Sequence, residues 1–183
     1  MIVIANDDGK KMVESIELEP FLEEYAQVTG SKLMLVAAGE RPDFVCEKRG
    51  RLYGLELVKA MQNPVQRRLE VILGGTGHLT GYDAMLLVQD AIYVKDKKRA
   101  SPGWSYPKST ILVIQLIGSD GEEMAVHLDS QLMDEMSETG FREIWIVDYS
   151  PMEAYRTIQL IGIKPKRWRG LHQHRFFGTK PYG

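Results

Sequence analysis

The longest near-continuous apolar run, STILVIQLI at residues 109–117, predicts a strand covered on both faces. Around it the pattern switches between the two regular periods. Phe21, Leu22, Tyr25 and Val28 recur at helical spacing with Gly30 as a stop, and Glu19-Pro20 suits a first helical turn, so a helix is expected to begin there. Residues 1–14 are weakly patterned. Residues 32–37 read as a strand, and residues 42–47 and 51–58 as two more, joined by a turn at Lys48-Arg49-Gly50. Asn63-Pro64 starts a helix that ends before Gly74-Gly75. Thr80 and Asp83 form a capping-box pattern. The helix it opens carries Tyr82, Met85, Leu86 and Ile92 on one side, and ends in Lys95, Lys97, Lys98 and Arg99, which complement its dipole. A helix with Leu128, Leu132, Met133 and Met136 then runs to Gly140, followed by strands at 142–148 and 156–163. This order, α-β-β-β-α-α-β-α-β-β, predicts an α/β protein with one mixed sheet flanked by helices.

Composition narrows the class. With 183 residues, 44% apolar and 26% charged, the chain suits one globular domain with a real core. No run approaches the roughly 18 apolar residues of a membrane span, so no membrane partner is expected. The start, MIVIANDDGKK, lacks the basic-then-apolar order of a signal peptide. A single cysteine, Cys46, and the lack of zinc-type Cys/His spacing fit a reducing, cytoplasmic setting. The net charge is −2, but residues 164–183 carry +6 with no acid, leaving −8 for the rest. That asymmetry predicts a basic patch facing a polyanion, with Lys166, Arg167, Arg169 and Arg175 as nucleic-acid contacts. The plainer alternative is a solvated tail. The expected organisation is an N-terminal extension at 1–14, an α/β domain at 15–163 and a basic tail at 164–183.

The candidate chemistry lies in the first hairpin. Period-two alternation places Gly54, Glu56 and Val58 on one face of its second strand, and Tyr53, Leu55 and Leu57 on the other. Asp43, at the start of the first strand, meets Glu56 if the register is right. Phosphodiester hydrolases commonly hold Mg²⁺ with one or two carboxylates and several waters. The metal lowers the pKa of a bound water and stabilises phosphate charge, and a lysine can neutralise developing charge. Pro42-Asp43, twelve residues, then Glu56 in RLYGLELVKA resembles the PD-(D/E)xK, or restriction-endonuclease-like, nuclease superfamily over roughly residues 15–118.

The resemblance implies a restriction-endonuclease-like mixed β-sheet flanked by helices, built on an αβββαβ core. It further implies a metal-dependent nuclease acting on DNA, with Mg²⁺ (or Mn²⁺) as cofactor, Asp43 and Glu56 as metal ligands, and a lysine assisting the water. Related nucleases often cut both strands as homodimers. An acid from the first helix often joins the metal site there, which points to Glu24, although a solvated face is the plainer reading of Glu23 and Glu24. One departure matters. The family writes Glu-x-Lys, whereas two residues after Glu56 stands Val58 and the lysine is Lys59, on the opposite face by alternation. Either a bulge at Leu57-Val58 re-aims Lys59, or a lysine such as Lys95 replaces it, or the fold only binds nucleic acid or a protein partner. An unrelated α/β enzyme with structural hairpin acids is the remaining reading.

Other motifs are weaker. His172-Gln173-His174 has i, i+2 spacing without a marked third ligand, His78 and His127 being distant in sequence. GGTGHLTG lacks the ending of a phosphate loop and reads as flexible. No serine sits in a nucleophile elbow. Cys46 reads as a buried thiol, Asp148 as a strand-end turn-starter, and Gln115 as a core glutamine needing a partner. Trp168 and Phe176-Phe177 are expected mostly to pack the tail.

Overall fold

A computed structural model describes residues 8–104, 107, 109–152 and 157–173. Seven strands form one mixed sheet in chain order: β1 (Met34–Ala38), β2 (Phe44–Lys48), β3 (Arg51–Ala60), β4 (Thr110–Leu116), β5 (Glu143–Asp148), β6 (Gln159–Lys164) and β7 (Gly170–Gln173). β4 runs parallel to β3 and β5, and every other neighbouring pair is antiparallel. Antiparallel strands close through short turns, whereas parallel neighbours need long crossovers. The helices supply these. α2 (Pro64–Ile72) and α3 (Gly81–Arg99) bridge β3 to β4; α4 (Gly121–Ala125) and α5 (Ser130–Ser137) bridge β4 to β5.

Two cores follow from the alternation. Leu112 and Ile114 of β4 and Ile144 and Ile146 of β5 face Ala84, Met85, Val88 and Ile92 of α3 and Met124 and Met136 beyond it. The intervening Ile111, Val113, Trp145 and Val147 face Leu18, Phe21 and Tyr25 of α1 (Asp8–Thr29). Every residue of β4 is buried, as its unbroken apolar run predicts. On α3 the buried stripe is Gly81, Ala84, Met85, Val88 and Ile92; Tyr82 and Leu86, expected with Met85 and Ile92, are exposed. Thr80 caps this helix as predicted, its hydroxyl accepting from the Asp83 backbone N–H at 3.2 Å.

Three boundaries differ from expectation. α1 begins at Asp8 and passes through Pro20. Proline removes the N–H that would bond the carbonyl four residues back; that residue, Ile16, is exposed, so water reaches the interrupted turn. The expected border at residue 15 therefore falls inside a helix. The border at 163 falls inside β6, because β7 adds a seventh strand from the basic segment. The helix expected to carry Leu128 and run to Gly140 is α5, which starts after Leu128 and ends at Ser137; a further short helix, α4, precedes it, and each is opened by an aspartate cap, Asp120 and Asp129. Arg175 lies outside the described residues, as do His174 and Phe176-Phe177.

At the β2–β3 turn, Arg49 (φ 51°) and Gly50 (φ 75°) are both left-handed. That matches the twist a two-residue hairpin needs. For a non-glycine residue such as Arg49 it costs about 1–2 kcal/mol. Close by, Glu143 accepts from Tyr25 Oη (2.8 Å), Trp145 Nε1 (2.9 Å) and Lys48 Nζ, tying α1, β2 and β5 together in the interior.

Candidate functional site

The register settles the first question the hairpin raises. Phe44 pairs with Leu55, so Asp43 arrives opposite Glu56 where β3 leaves β2 for β4. Pro42 fixes the approach: it packs on Gly54, where an added Cβ would lie 2.7 Å from the proline Cγ. Only glycine admits that contact.

Asp43 and Glu56 are joined through the backbone. The Leu57 N–H donates to Asp43 Oδ2 at 2.9 Å, and the Asp43 N–H donates to Glu56 Oε2 at 3.3 Å. Each carboxylate thus occupies an N–H that the diverging strands leave without a ladder partner. Glu56 is 4% exposed. Burial raises its pKa, the Asp43 carboxylate raises it further, and Lys95 opposes both.

The lysines separate by face. Glu56 points to the α3 side, where Lys95 Nζ lies 2.5 Å from Oε1. Lys59 points to the α1 side and pairs with Glu17 at 3.2 Å. No bulge interrupts the continuous β3–β4 register from Gly54 to Ala60 that would re-aim it. Lys95, near the end of α3, stands beside the motif glutamate. A fourth residue was not foreseen from the sequence. Lys11 of α1 donates to Asp43 Oδ1 at 2.8 Å, and burial pulls its pKa down less than its bonds to Asp43 and Glu14 push it up. Its only signal is membership of α1, and residues 8–14 lack a helical apolar pattern.

Glu24 is buried, but the structure does not bring it to this pair. Lys11 marks the Asp43 end of α1, and Glu24 lies thirteen residues further on, about 20 Å along the axis at 1.5 Å per residue. Its neighbour Tyr25 is at the Lys48 end of the hairpin.

Magnesium is satisfied by one or two carboxylates plus waters. Asp43 and Glu56 fit that requirement: each oxygen holds one donor and keeps a second acceptor direction. Their mutual repulsion favours a cation between them. Among the described residues, no group of three or more His, Cys, Asp or Glu is placed to hold a metal ion.

The other candidates resolve locally. Cys46 is buried, and burial pushes its thiol up to about 12, which keeps it protonated. Asp148 accepts from the backbone N–H groups of Gly121 and Ser150, both at 2.8 Å, and so closes the β5 end. Gln115 is buried, its Oε1 without a hydrogen-bond partner among the described residues. His172 bonds the Trp168 carbonyl at 2.8 Å. Of the basic segment, Arg169 bonds Ile163 O, Met133 O, Ser137 Oγ and Asp134, fastening β6 to α5. Lys166 pairs with Asp134 at 3.2 Å, and Arg167 is exposed beside the Trp168 ring. Among the described residues no helix is long and apolar enough to cross a membrane.

Comparison with family models, curated proteins and solved structures finds no match to this chain.

Proposed function

We propose that the protein is a metal-dependent phosphodiester hydrolase acting on DNA, with Asp43 and Glu56 as ligands of Mg²⁺ or Mn²⁺ and Lys95 in the role the motif gives to lysine. The observation that carries this reading is the convergence of Asp43, Glu56 and Lys95 at the divergence of β2 and β3. The order of the first elements supports it: a helix, three antiparallel strands, a helical crossover and a fourth strand parallel to the third is the αβββαβ arrangement that the resemblance implies.

The bound metal would supply a water of lowered pKa and stabilise charge on the phosphate. The chain's own groups do the positioning. The backbone N–H groups of Leu57 and Asp43 orient the two carboxylates. Lys95 and Lys11 neutralise them, and either ammonium can turn to a phosphate oxygen once a cation takes its place.

The test is cleavage of supercoiled plasmid and single-stranded DNA with Mn²⁺ or with EDTA. Cutting that requires Mn²⁺ and falls at least about 100-fold in Asp43→Asn and in Glu56→Gln supports hydrolysis. Cutting that survives both substitutions contradicts it.

A second reading has its own observation. Both carboxylates satisfy backbone N–H groups and pair with lysines, an arrangement that would also serve a non-catalytic protein binding nucleic acid or a protein partner. DNA binding with no cutting in any divalent metal would favour it.

A further inference from the structure

At the opposite end of the β2–β3 hairpin from Asp43 lies a cavity of about 770 Å³. It is bounded by the hairpin turn, the end of α1, the start of β5 and the junction of β6 with the short 3₁₀ turn at Lys166–Trp168. Its volume is that of a small-molecule site. Six cationic side chains line it: Lys48, Arg49, Arg51, Arg142, Lys164 and Arg167. The one carboxylate among the lining residues, Glu143, is already held by Tyr25, Trp145 and Lys48, and so neutralises Lys48 alone. The Lys164 ammonium donates to the Ser137 and Thr139 carbonyls at 2.8 and 2.9 Å. Burial lowers its pKa, and the Arg142 charge lowers it further. Arg49, Arg51, Arg142 and Arg167 have no ion-pair partner among the described residues.

A chain of net charge −2 therefore gathers a surplus of five positive charges around one recess. Like charges brought together repel, so an anion placed among them is favoured. Arg49 adds an independent sign. It occupies a left-handed position that glycine would take without steric penalty and asparagine more readily than arginine, and strain of this kind concentrates where a side chain is needed for function.

Four arginines from three segments surround the recess instead of following a track along the surface. That suits a compact ligand with several phosphates, because guanidinium forks match phosphate oxygens in pairs. Tyr53 and Trp168 line the same space, with Lys48 over the first ring at 5.0 Å and Arg167 over the second at 5.6 Å; a flat base would stack on either ring in place of the cation that covers it.

We propose that this cavity binds a nucleoside polyphosphate, the arginines holding the phosphates and an aromatic face stacking the base. The inference stands apart from the carboxylate site. The test is calorimetric titration of the full chain with ATP, with tripolyphosphate and with inorganic phosphate, in EDTA at about 0.15 M salt, where exposed charges beyond about 8 Å are screened. The expected result is saturable ATP binding that is tighter than tripolyphosphate binding. It weakens at least about tenfold in the Arg51→Ala/Arg142→Ala double variant, which removes charge-assisted hydrogen bonds. It also weakens in Arg49→Gly, which relieves the left-handed strain and melts no lower than the wild type. No saturable ATP binding, or affinity unchanged in these variants, would overturn the site. Tripolyphosphate bound as tightly as ATP would overturn the assignment of a nucleoside.

Discussion

Glu56 is the residue on which structure and chemistry meet. Its carboxyl is held above its ordinary value of about 4.5 by burial first and Asp43 second. A carboxyl with a raised folded-state pKa contributes stability that is fully present below about pH 4.5 and is lost as pH rises through the folded-state value. Glu56→Gln removes that slope. The variant should therefore gain on the wild type as urea denaturation is repeated from pH 4.5 to 7; parallel curves would show that Glu56 ionises without penalty. Arg49→Gly should raise stability by about 0.5–1 kcal/mol in the same assay, because relief of the left-handed cost of about 1–2 kcal/mol is partly offset by the greater chain entropy that glycine loses on folding. At this scale the sequence was legible in part. The motif spacing let Asp43 and Glu56 meet only if the register was right, which the Phe44–Leu55 pairing supplies, and strand alternation put Lys59 on the wrong face. It left Lys95 one of several lysines at a helix end, because its reach depends on how α3 crosses β3.

Elements were legible where one period ran unbroken. The apolar run of β4 and the alternating β2–β3 pair with its Arg-Gly turn are placed as the sequence predicts. The start of α1 was not legible, since residues 8–14 lack an apolar stripe and Pro20 reads as a first-turn residue. β7 was not legible either: four residues, alternately half-buried and exposed, within a basic segment look like a tail. That segment is fastened by Arg169, whose guanidinium reaches two backbone carbonyls and a hydroxyl on β6 and α5. Arg169→Ala should cost on the order of 2 kcal/mol of stability, measured by chemical denaturation; no loss would return Arg169 to the role of a free surface cation. Gly54→Ala should act differently. It drives Pro42 off β3, costing about 1–3 kcal/mol by overpacking, and displaces Asp43. Mn²⁺ affinity should then fall even under conditions where the variant is fully folded.

Across the whole molecule the hairpin organises two chemically opposite ends. At one, two carboxylates meet where strands diverge; at the other, the turn, β5 and the basic segment gather cations around a cavity. Net charge conceals this, because −2 is the sum of regions of opposite sign. The charge asymmetry of residues 164–183 was legible, but not its division into Arg169, which is structural, and Arg167, which faces the cavity. Nor does sequence distance show that Arg49, Arg51 and Arg142 join Arg167, since β5 and the hairpin turn meet only through the sheet order. The α/β class was legible in full from the alternation of periods, and the mixed sheet follows from it. The most direct test of the carboxylate end compares plasmid cleavage in Mn²⁺ by Lys95→Met and Lys59→Met. With Lys95 serving the site, Lys95→Met loses at least about 100-fold in rate while Lys59→Met stays near the wild type. Loss in Lys59→Met with Lys95→Met unaffected, or no metal-dependent cutting by the wild type, would contradict it.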